Sequence, residues 1–120
     1  MMKKIAFSLL AAATFAQCTT DNSLDKYGEN ACGTAAVSYS EDIAPLLNAQ
    51  CTACHGNGLA TANFNIEGHS AAAAAGLSGQ LLNRVDRALG DPMLMPPDGP
   101  LDSCSIEKIR AWITNGAPNN

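Results

Sequence analysis

Residues 51–55 hold two thiols and an imidazole at a spacing that suits one particular covalent chemistry. Cys51 and Cys54 lie three positions apart, and His55 follows the second cysteine directly. Each thiol can add across one vinyl group of a porphyrin, and the adjacent histidine can bind the iron from below the ring. The pattern Cys-Thr-Ala-Cys-His therefore predicts one covalently bound haem c, with His55 as the proximal iron ligand.

Two other cysteine chemistries compete for the same residues. A thioredoxin-like redox pair would use Cys51 and Cys54 without the histidine, and it would lie beside a βαβ pattern that the sequence lacks. A structural zinc site needs four ligands, and the second histidine of the chain, His69, stands alone in the sequence. Haem attachment accounts for more of the motif than either alternative.

A second iron ligand is available in the proline-rich segment 91–100. Its prolines prevent a regular helix, and Pro96 favours an extended backbone at Met95. A methionine thioether is a neutral, soft ligand that raises the reduction potential of haem iron. In an extended segment Met93 and Met95 point to the same side, so spacing does not choose between them. Core filling is a further role for either methionine.

The helix before the cysteines is expected to start at Ser40, whose side chain can cap its first turn. Ile43, Leu46 and Leu47 share one face, which continues one turn later into Cys51. This helix brings the chain to the candidate haem motif.

Three further helices are expected after the motif. An alanine-rich helix is expected over residues 70–75. Its small side chains would let it lie close to a flat ring, and Gly76 is expected to end it. Ser78 is the expected cap of the next helix, whose inner face holds Leu81, Leu82, Val85 and Leu89. Asp102 is the expected cap of the last, whose apolar stripe holds Leu101, Ile106, Ile109, Trp112 and Ile113.

Other side chains are candidates for the surroundings of the cofactor. Phe64 and Ile66 lie in a polar loop and are expected to form part of the haem wall. Arg84 and Arg87 could each pair with a haem propionate, although solvated surface charge is the simpler interpretation. Trp112 is expected in the core rather than as an electron relay.

The start of the chain has the layout of a secretory signal peptide. Two lysines precede a mostly apolar run, residues 5–16, which is too short to span a bilayer. Residues 15–18 resemble a bacterial lipobox, which predicts removal of residues 1–17 and lipidation of Cys18. Ordinary cleavage after Ala16, which would leave a free thiol, is the alternative. The protein is thus expected in the periplasm or at the cell surface, anchored to a membrane.

The rest of the chain divides into a tether and one domain. Residues 18–31 are mostly polar and lack aliphatic periodicity, so they are expected to form a flexible tether. Residues 32–120 are expected to form the haem domain. Cys32 and Cys104 remain unassigned, and an oxidising compartment favours a disulfide between them, with two free thiols as the alternative.

Charge limits the possible partners. Loss of two lysines with the signal peptide lowers the 7 basic residues to 5 against 11 acidic residues, a net charge of −6. Such a surface argues against nucleic acid and anionic lipid as partners, and favours a redox partner protein with a basic docking patch.

Several motifs also occur in an order that carries a family resemblance: Tyr39-Ser40-Glu41-Asp42-Ile43, the haem motif, Met95-Pro96-Pro97, Gly99-Pro100-Leu101, Ile106 to Trp112-Ile113, and Gly116-Ala117-Pro118. From about Cys32 to the end, the chain resembles the short planctomycete-type cytochrome c domain, a class I c-type cytochrome.

The resemblance implies an all-α, class I cytochrome c-like fold of about four short helices around the haem, in which the first and last helices cross. It also implies that the methionine of the Met-Pro-Pro segment, Met95, is the distal iron ligand. Met93, His69 or an open position remain the alternatives.

Coordination by histidine and methionine together predicts an electron carrier rather than an enzyme, because it leaves no position on the iron for a substrate. No small-molecule substrate is therefore expected. Two other classes remain: a haem enzyme or gas sensor with a labile distal ligand, and a non-redox adaptor in which haem is structural. No residues suggest a hydrolytic or group-transfer site.

Overall fold

The computed structural model describes residues 31–120, and every regular element in this range is helical. The α-helices are α1 (Ala44–Gln50), α2 (Thr52–His55), α3 (Gly68–Leu77), α4 (Gln80–Val85) and α5 (Ser103–Thr114). A π-helical turn, Tyr39–Ile43, leads into α1, and Thr34–Ala36 and Thr61–Asn63 form 3-10 turns. The predicted all-α class is confirmed for this part of the chain.

The expected signal peptide, the candidate lipidation site Cys18 and almost all of the expected tether lie outside the described residues. Within residues 31–120, no helix is long and apolar enough to cross a membrane.

The π-helical turn and α1 form one continuous segment, called here the first helical segment. Its N-cap is Ser38 rather than the predicted Ser40. Ser38 has an extended backbone, its hydroxyl accepts the N–H of Glu41 at 3.0 Å, and its own N–H donates to the Asp42 carboxylate at 3.0 Å. These are the bonds of an N-cap, whereas Ser40 already lies inside the first turn. The wide π-helical turn comes just before Pro45, whose ring would clash with the preceding turn of a regular helix.

Helix α3 differs from its prediction at its end and in what it packs against. Gly76 was expected to end the helix, but it lies buried inside it, so close to α5 that a Cβ there would be 2.9 Å from Ile113 Cγ1. Ala72 and Ala75 are buried in the same core. Small side chains thus let two helices approach each other, and α3 ends before Gly79, whose φ is 80°.

Helix α4 is shorter than predicted. Leu81 and Val85 are buried as expected, but the chain leaves helical geometry at Asp86, so the exposed Leu89 does not continue the apolar stripe. Ser78 does not cap α4, because its hydroxyl donates at 3.2 Å to a carbonyl in the last turn of α3. It therefore closes the preceding helix instead.

Helix α5 follows its prediction. The carboxylate of Asp102 accepts the N–H of Ser105 at 2.9 Å, which is the expected N-cap. Ile109 and Trp112 are fully buried, and the Trp112 ring N–H donates to the carbonyl of Pro118 at 2.9 Å. Trp112 is confirmed as a core residue.

Two contacts connect the start of the domain to α5. Lys108 of α5 forms an ion pair of 2.8 Å with Asp42 in the first helical segment. Cys32 and Cys104 are joined as a disulfide, with their Cα atoms 5.0 Å apart, as the sequence predicts. The first and last helical segments are therefore in contact, whereas the crossing that the family resemblance implies stays a prediction.

Candidate functional site

One cavity of about 670 Å³ collects most of the predicted site residues. Its walls come from the Cys-X-X-Cys-His motif, the loop after it, α4 and the proline-rich segment. The predicted residues on these walls are Cys51, His55, Phe64, Ile66, Leu81, Val85, Arg84, Met93 and Met95. The volume is typical of cofactor pockets, which hold roughly 300–1,000 Å³.

The ring of His55 is oriented by a main-chain carbonyl. Its Nδ1 lies 3.0 Å from the carbonyl oxygen of Phe64. A carbonyl can only accept, so Nδ1 carries the proton and the lone pair of the neutral imidazole is on Nε2. Metal-binding histidines are commonly oriented by a hydrogen bond of this kind. This hydrogen bond leaves Nε2 of His55 available as a metal ligand.

The loop between His55 and Glu67 is fixed by contacts at both ends. The N–H of Ile66 donates to the His55 carbonyl at 2.9 Å, and the N–H of Asn57 donates to the Glu67 carboxylate at 2.7 Å. At Gly56 the backbone passes so close to α2 that a Cβ would lie 3.0 Å from that of Thr52. These contacts return the chain to the histidine and hold the Phe64 carbonyl in place.

The two cysteines of the motif have different environments. Cys51 is half-buried on the cavity wall, and burial raises the pKa of its thiol to about 11. Cys54, one turn along α2, is exposed and is not part of the wall. The N–H of His55 donates to the Cys51 carbonyl at 2.9 Å, so one helical turn carries all three residues.

Both candidate methionines line the cavity, although residues 91–94 are not extended as predicted. The N–H of Leu94 donates to the Asp91 carbonyl at 3.0 Å, which closes a turn around the buried Leu94 side chain. Met93 is 44% exposed, whereas Met95 is half-buried and its N–H donates to the Arg84 carbonyl at 3.0 Å. Burial and the backbone contact favour Met95 as the better-held thioether.

His69, the other predicted alternative for the distal ligand, does not line the cavity. Its Nε2 lies 2.9 Å from the Ala117 carbonyl, and its ring meets that of Tyr39 edge-on at 4.8 Å. Its position is near the start of α3, as expected for a helix-start residue. Within residues 31–120, no group of three or more histidine, cysteine or acidic side chains could hold a metal ion.

Some functional contacts could not be found from the sequence. The partner of His55 is a main-chain carbonyl, which any residue at position 64 provides, so no side chain signals it. Gln80 and Asn83 of α4 line a polar edge of the cavity together with Ser78. Arg84, beside them, was a candidate from the sequence, whereas Gln80 and Asn83 were not singled out. The alanine-rich α3, expected to lie against the ring, contributes nothing to the wall.

Comparison of the chain with protein-family models, curated proteins and solved structures gave no match. The functional interpretation therefore depends on the residues of the site.

Proposed function

We propose that this chain is a single-haem c-type cytochrome of class I that transfers electrons, with His55 and Met95 as the iron ligands. The observation that carries the proposal is the cavity itself. Cys51 and His55 share its wall with Met93 and Met95, which come from a segment far along the chain. Sequence spacing relates Cys51 to His55, and Met93 to Met95. It does not require these two pairs to share one cavity.

The residues present suit haem c in their chemistry. Cys51 and Cys54 would each form one thioether, with sulfur and hydrogen adding to the two carbons of a vinyl group. Nε2 of His55 carries a free lone pair, and the thioether of Met95 supplies a soft donor. Bound haem supplies an iron that gains or loses one electron, which is the chemistry proposed for this protein.

The surrounding residues determine how this site is held. The Phe64 carbonyl fixes the His55 ring, and the Arg84 carbonyl fixes the backbone of Met95. Apolar side chains, including Ile66, Leu81 and Val85, form much of the wall. Two protein ligands leave no iron position for a substrate, so the arrangement suits electron transfer rather than catalysis.

The cellular setting follows from the sequence predictions. The proposed carrier is exported and attached to a membrane through lipidated Cys18, and its tether gives the haem domain reach. The acidic mature chain would dock with a redox partner that carries a basic patch.

The decisive experiment is expression of the full chain together with a cytochrome c maturation system. We expect a coloured protein whose haem survives denaturation, and a mass gain on the peptide that contains Cys51 and Cys54. A Cys51→Ala/Cys54→Ala variant, expressed in parallel, should lose the covalent haem. A colourless wild-type protein with unmodified cysteines would overturn the proposal. Rapid CO binding to the reduced protein at neutral pH would favour a gas sensor or haem enzyme instead.

A further inference from the structure

Arg84 differs from the other cations in residues 31–120. The other three each form an ion pair: Arg87 with Asp91 at 2.9 Å, Lys108 with Asp42 at 2.8 Å, and Arg110 with Asp86 at 2.6 Å. Arg84 forms no ion pair with any described residue, and it lines the cavity. The unpaired cation of this part of the chain is therefore at the candidate cofactor site.

No described carboxylate forms an ion pair with Arg84, although its charge adds, after larger causes, to the lowering of the Asp91 pKa. Its side chain is half-buried, and the described residues that line the cavity include no aspartate or glutamate. Asp91 is already engaged, because its carboxylate accepts the N–H of Met93 at 2.7 Å and a guanidinium N–H of Arg87 at 2.9 Å. A half-buried cation without a partner is unfavourable, so this position suits an anionic group that enters the cavity.

We propose that Arg84 holds a propionate of the bound haem at the polar edge of the cavity. The inference rests on the proposed function, since it requires haem to occupy this cavity. A guanidinium matches a carboxylate with two parallel hydrogen bonds, and such charge-assisted bonds are among the stronger ones in proteins. Gln80 and Asn83 supply further amide donors on the same side of the wall.

The same residue also supports the proposed distal ligand. The main-chain carbonyl of Arg84 accepts the N–H of Met95 at 3.0 Å. Arg84 would thus join the propionate to the methionine segment, through its side chain on one side and its backbone on the other. A side-chain substitution removes only the first connection, so the two roles can be separated by experiment.

Arg84→Gln in the full-length holoprotein tests the side-chain role. We expect a lower reduction potential, because loss of the positive charge favours the ferric state, and a lower thermal midpoint for the holoprotein. The far-red sulfur-to-iron band should persist, because the backbone contact with Met95 remains. Arg84→Lys keeps the charge and should recover part of the potential.

Arg110→Gln is the matched control, because it removes the same charge from a residue that does not line the cavity. The reduction potential of Arg110→Gln should differ much less from that of the wild type than the reduction potential of Arg84→Gln does. If both variants shifted the reduction potential equally, the effect would come from the overall charge of the protein, and the inference would be overturned. A larger shift in Arg87→Gln would assign the propionate to Arg87 and overturn it as well.

A crystal structure of the wild-type holoprotein provides a test that needs no variant. It should place a propionate oxygen within hydrogen-bonding distance of the Arg84 guanidinium, and a distant guanidinium would reject the inference. Covalent haem with no role for Arg84 would leave the proposed cytochrome function intact. Absence of covalent haem in the wild type would reject both.

Discussion

His55 and the methionines that share its cavity are held to different degrees by the main chain. The His55 ring is fixed by the Phe64 carbonyl at 3.0 Å, in a loop with contacts at both ends. The Met95 backbone is held by the Arg84 carbonyl on α4, whereas Met93 lies in a local turn and is 44% exposed. A ligand that must keep its position on a metal is better placed on the firmer backbone.

We therefore expect Met95→Ala to remove the far-red sulfur-to-iron band from the oxidised holoprotein and to lower its reduction potential. The reason is the loss of a soft donor that favours ferrous iron. Met93→Ala, the matched control, should keep the band and a potential near that of the wild type. Optical spectra and redox titrations of both variants check this, and the reverse pattern would assign the distal ligand to Met93.

At the scale of helices, α3 and α5 approach closely because α3 presents small residues. Gly76 faces Ile113 and Trp112, and a Cβ at position 76 would lie 2.9 Å from Ile113 Cγ1 and 3.4 Å from an atom of the Trp112 ring. Trp112 is fully buried, so the ring has little freedom to move. The contact positions α5, which in turn carries one half of the disulfide.

Gly76→Ala is expected to lower the free energy of unfolding. Alanine gains about 1 kcal/mol of helix propensity over glycine, but overpacking of a core costs about 1–3 kcal/mol, and we expect the steric cost to win. Denaturant titration of the holoprotein measures the change. In an Ile113→Ala background the same substitution should become neutral or stabilising, because the clashing atoms are gone. Destabilisation of equal size in both backgrounds would contradict the proposed contact.

Helix starts also contain carboxylates that are sensitive to pH. The pKa of Asp42 is lowered, first by its hydrogen bond from Lys108 and then by the N–H of Ser38. The pKa of Asp102 is lowered by the Ser105 hydroxyl and then by the Ser105 N–H. In both cases the folded state favours the ionised carboxylate over the protonated one.

Because folding lowers both pKa values, both carboxylates are predicted to stabilise the domain at a pH above their ordinary pKa of 3.8. This stabilisation should be lost as the pH falls through the lower pKa of the folded state. Asp102→Asn keeps a capping side chain, but it should flatten the acid limb of a plot of stability against pH. Asp98→Asn, at an exposed position, is the control. Thermal midpoints between about pH 2 and 6 check the prediction, and an unchanged acid limb in Asp102→Asn would contradict it.

At the scale of the whole domain, the disulfide joins its two ends. Cys32 is near the start of the described residues and Cys104 lies in α5, with a sequence separation of 72. The Lys108–Asp42 ion pair and a hydrogen bond from the Ser40 N–H to the Asn120 carbonyl at 2.9 Å connect the same regions. The covalent link therefore reinforces contacts that the fold makes by itself.

Cys32→Ala/Cys104→Ala should lower the free energy of unfolding by roughly 4 kcal/mol, the value of the chain-entropy relation for a loop of this length. Haem content and the sulfur-to-iron band should stay the same, since neither cysteine lines the cavity. Denaturant titration of the two holoproteins measures the difference. A change below about 1 kcal/mol would show that the non-covalent contacts alone hold the two ends together.

Features that depend on local spacing were predictable from the amino-acid sequence. Three such features each lie within one short stretch of the chain. They are the Cys-X-X-Cys-His motif, the cap and apolar stripe of α5, and the helix-breaking segment 91–100. The individual helices were expected from the same periodicities, whereas the all-α class was implied by the family resemblance. Local patterns of this kind need no knowledge of the partner surface, because backbone geometry fixes them.

Which surfaces face each other depends on the path of the whole chain. The small residues of α3 are equally suited to a flat ring or to a neighbouring helix, and only the fold buries Ala72 and Ala75 in the core and sets Gly76 against α5. Leu89 continues the helical repeat in sequence, yet α4 ends at Val85 and leaves it exposed. The carbonyl that orients His55 and the unpaired position of Arg84 arise from the path of the chain, which residue identity does not encode locally.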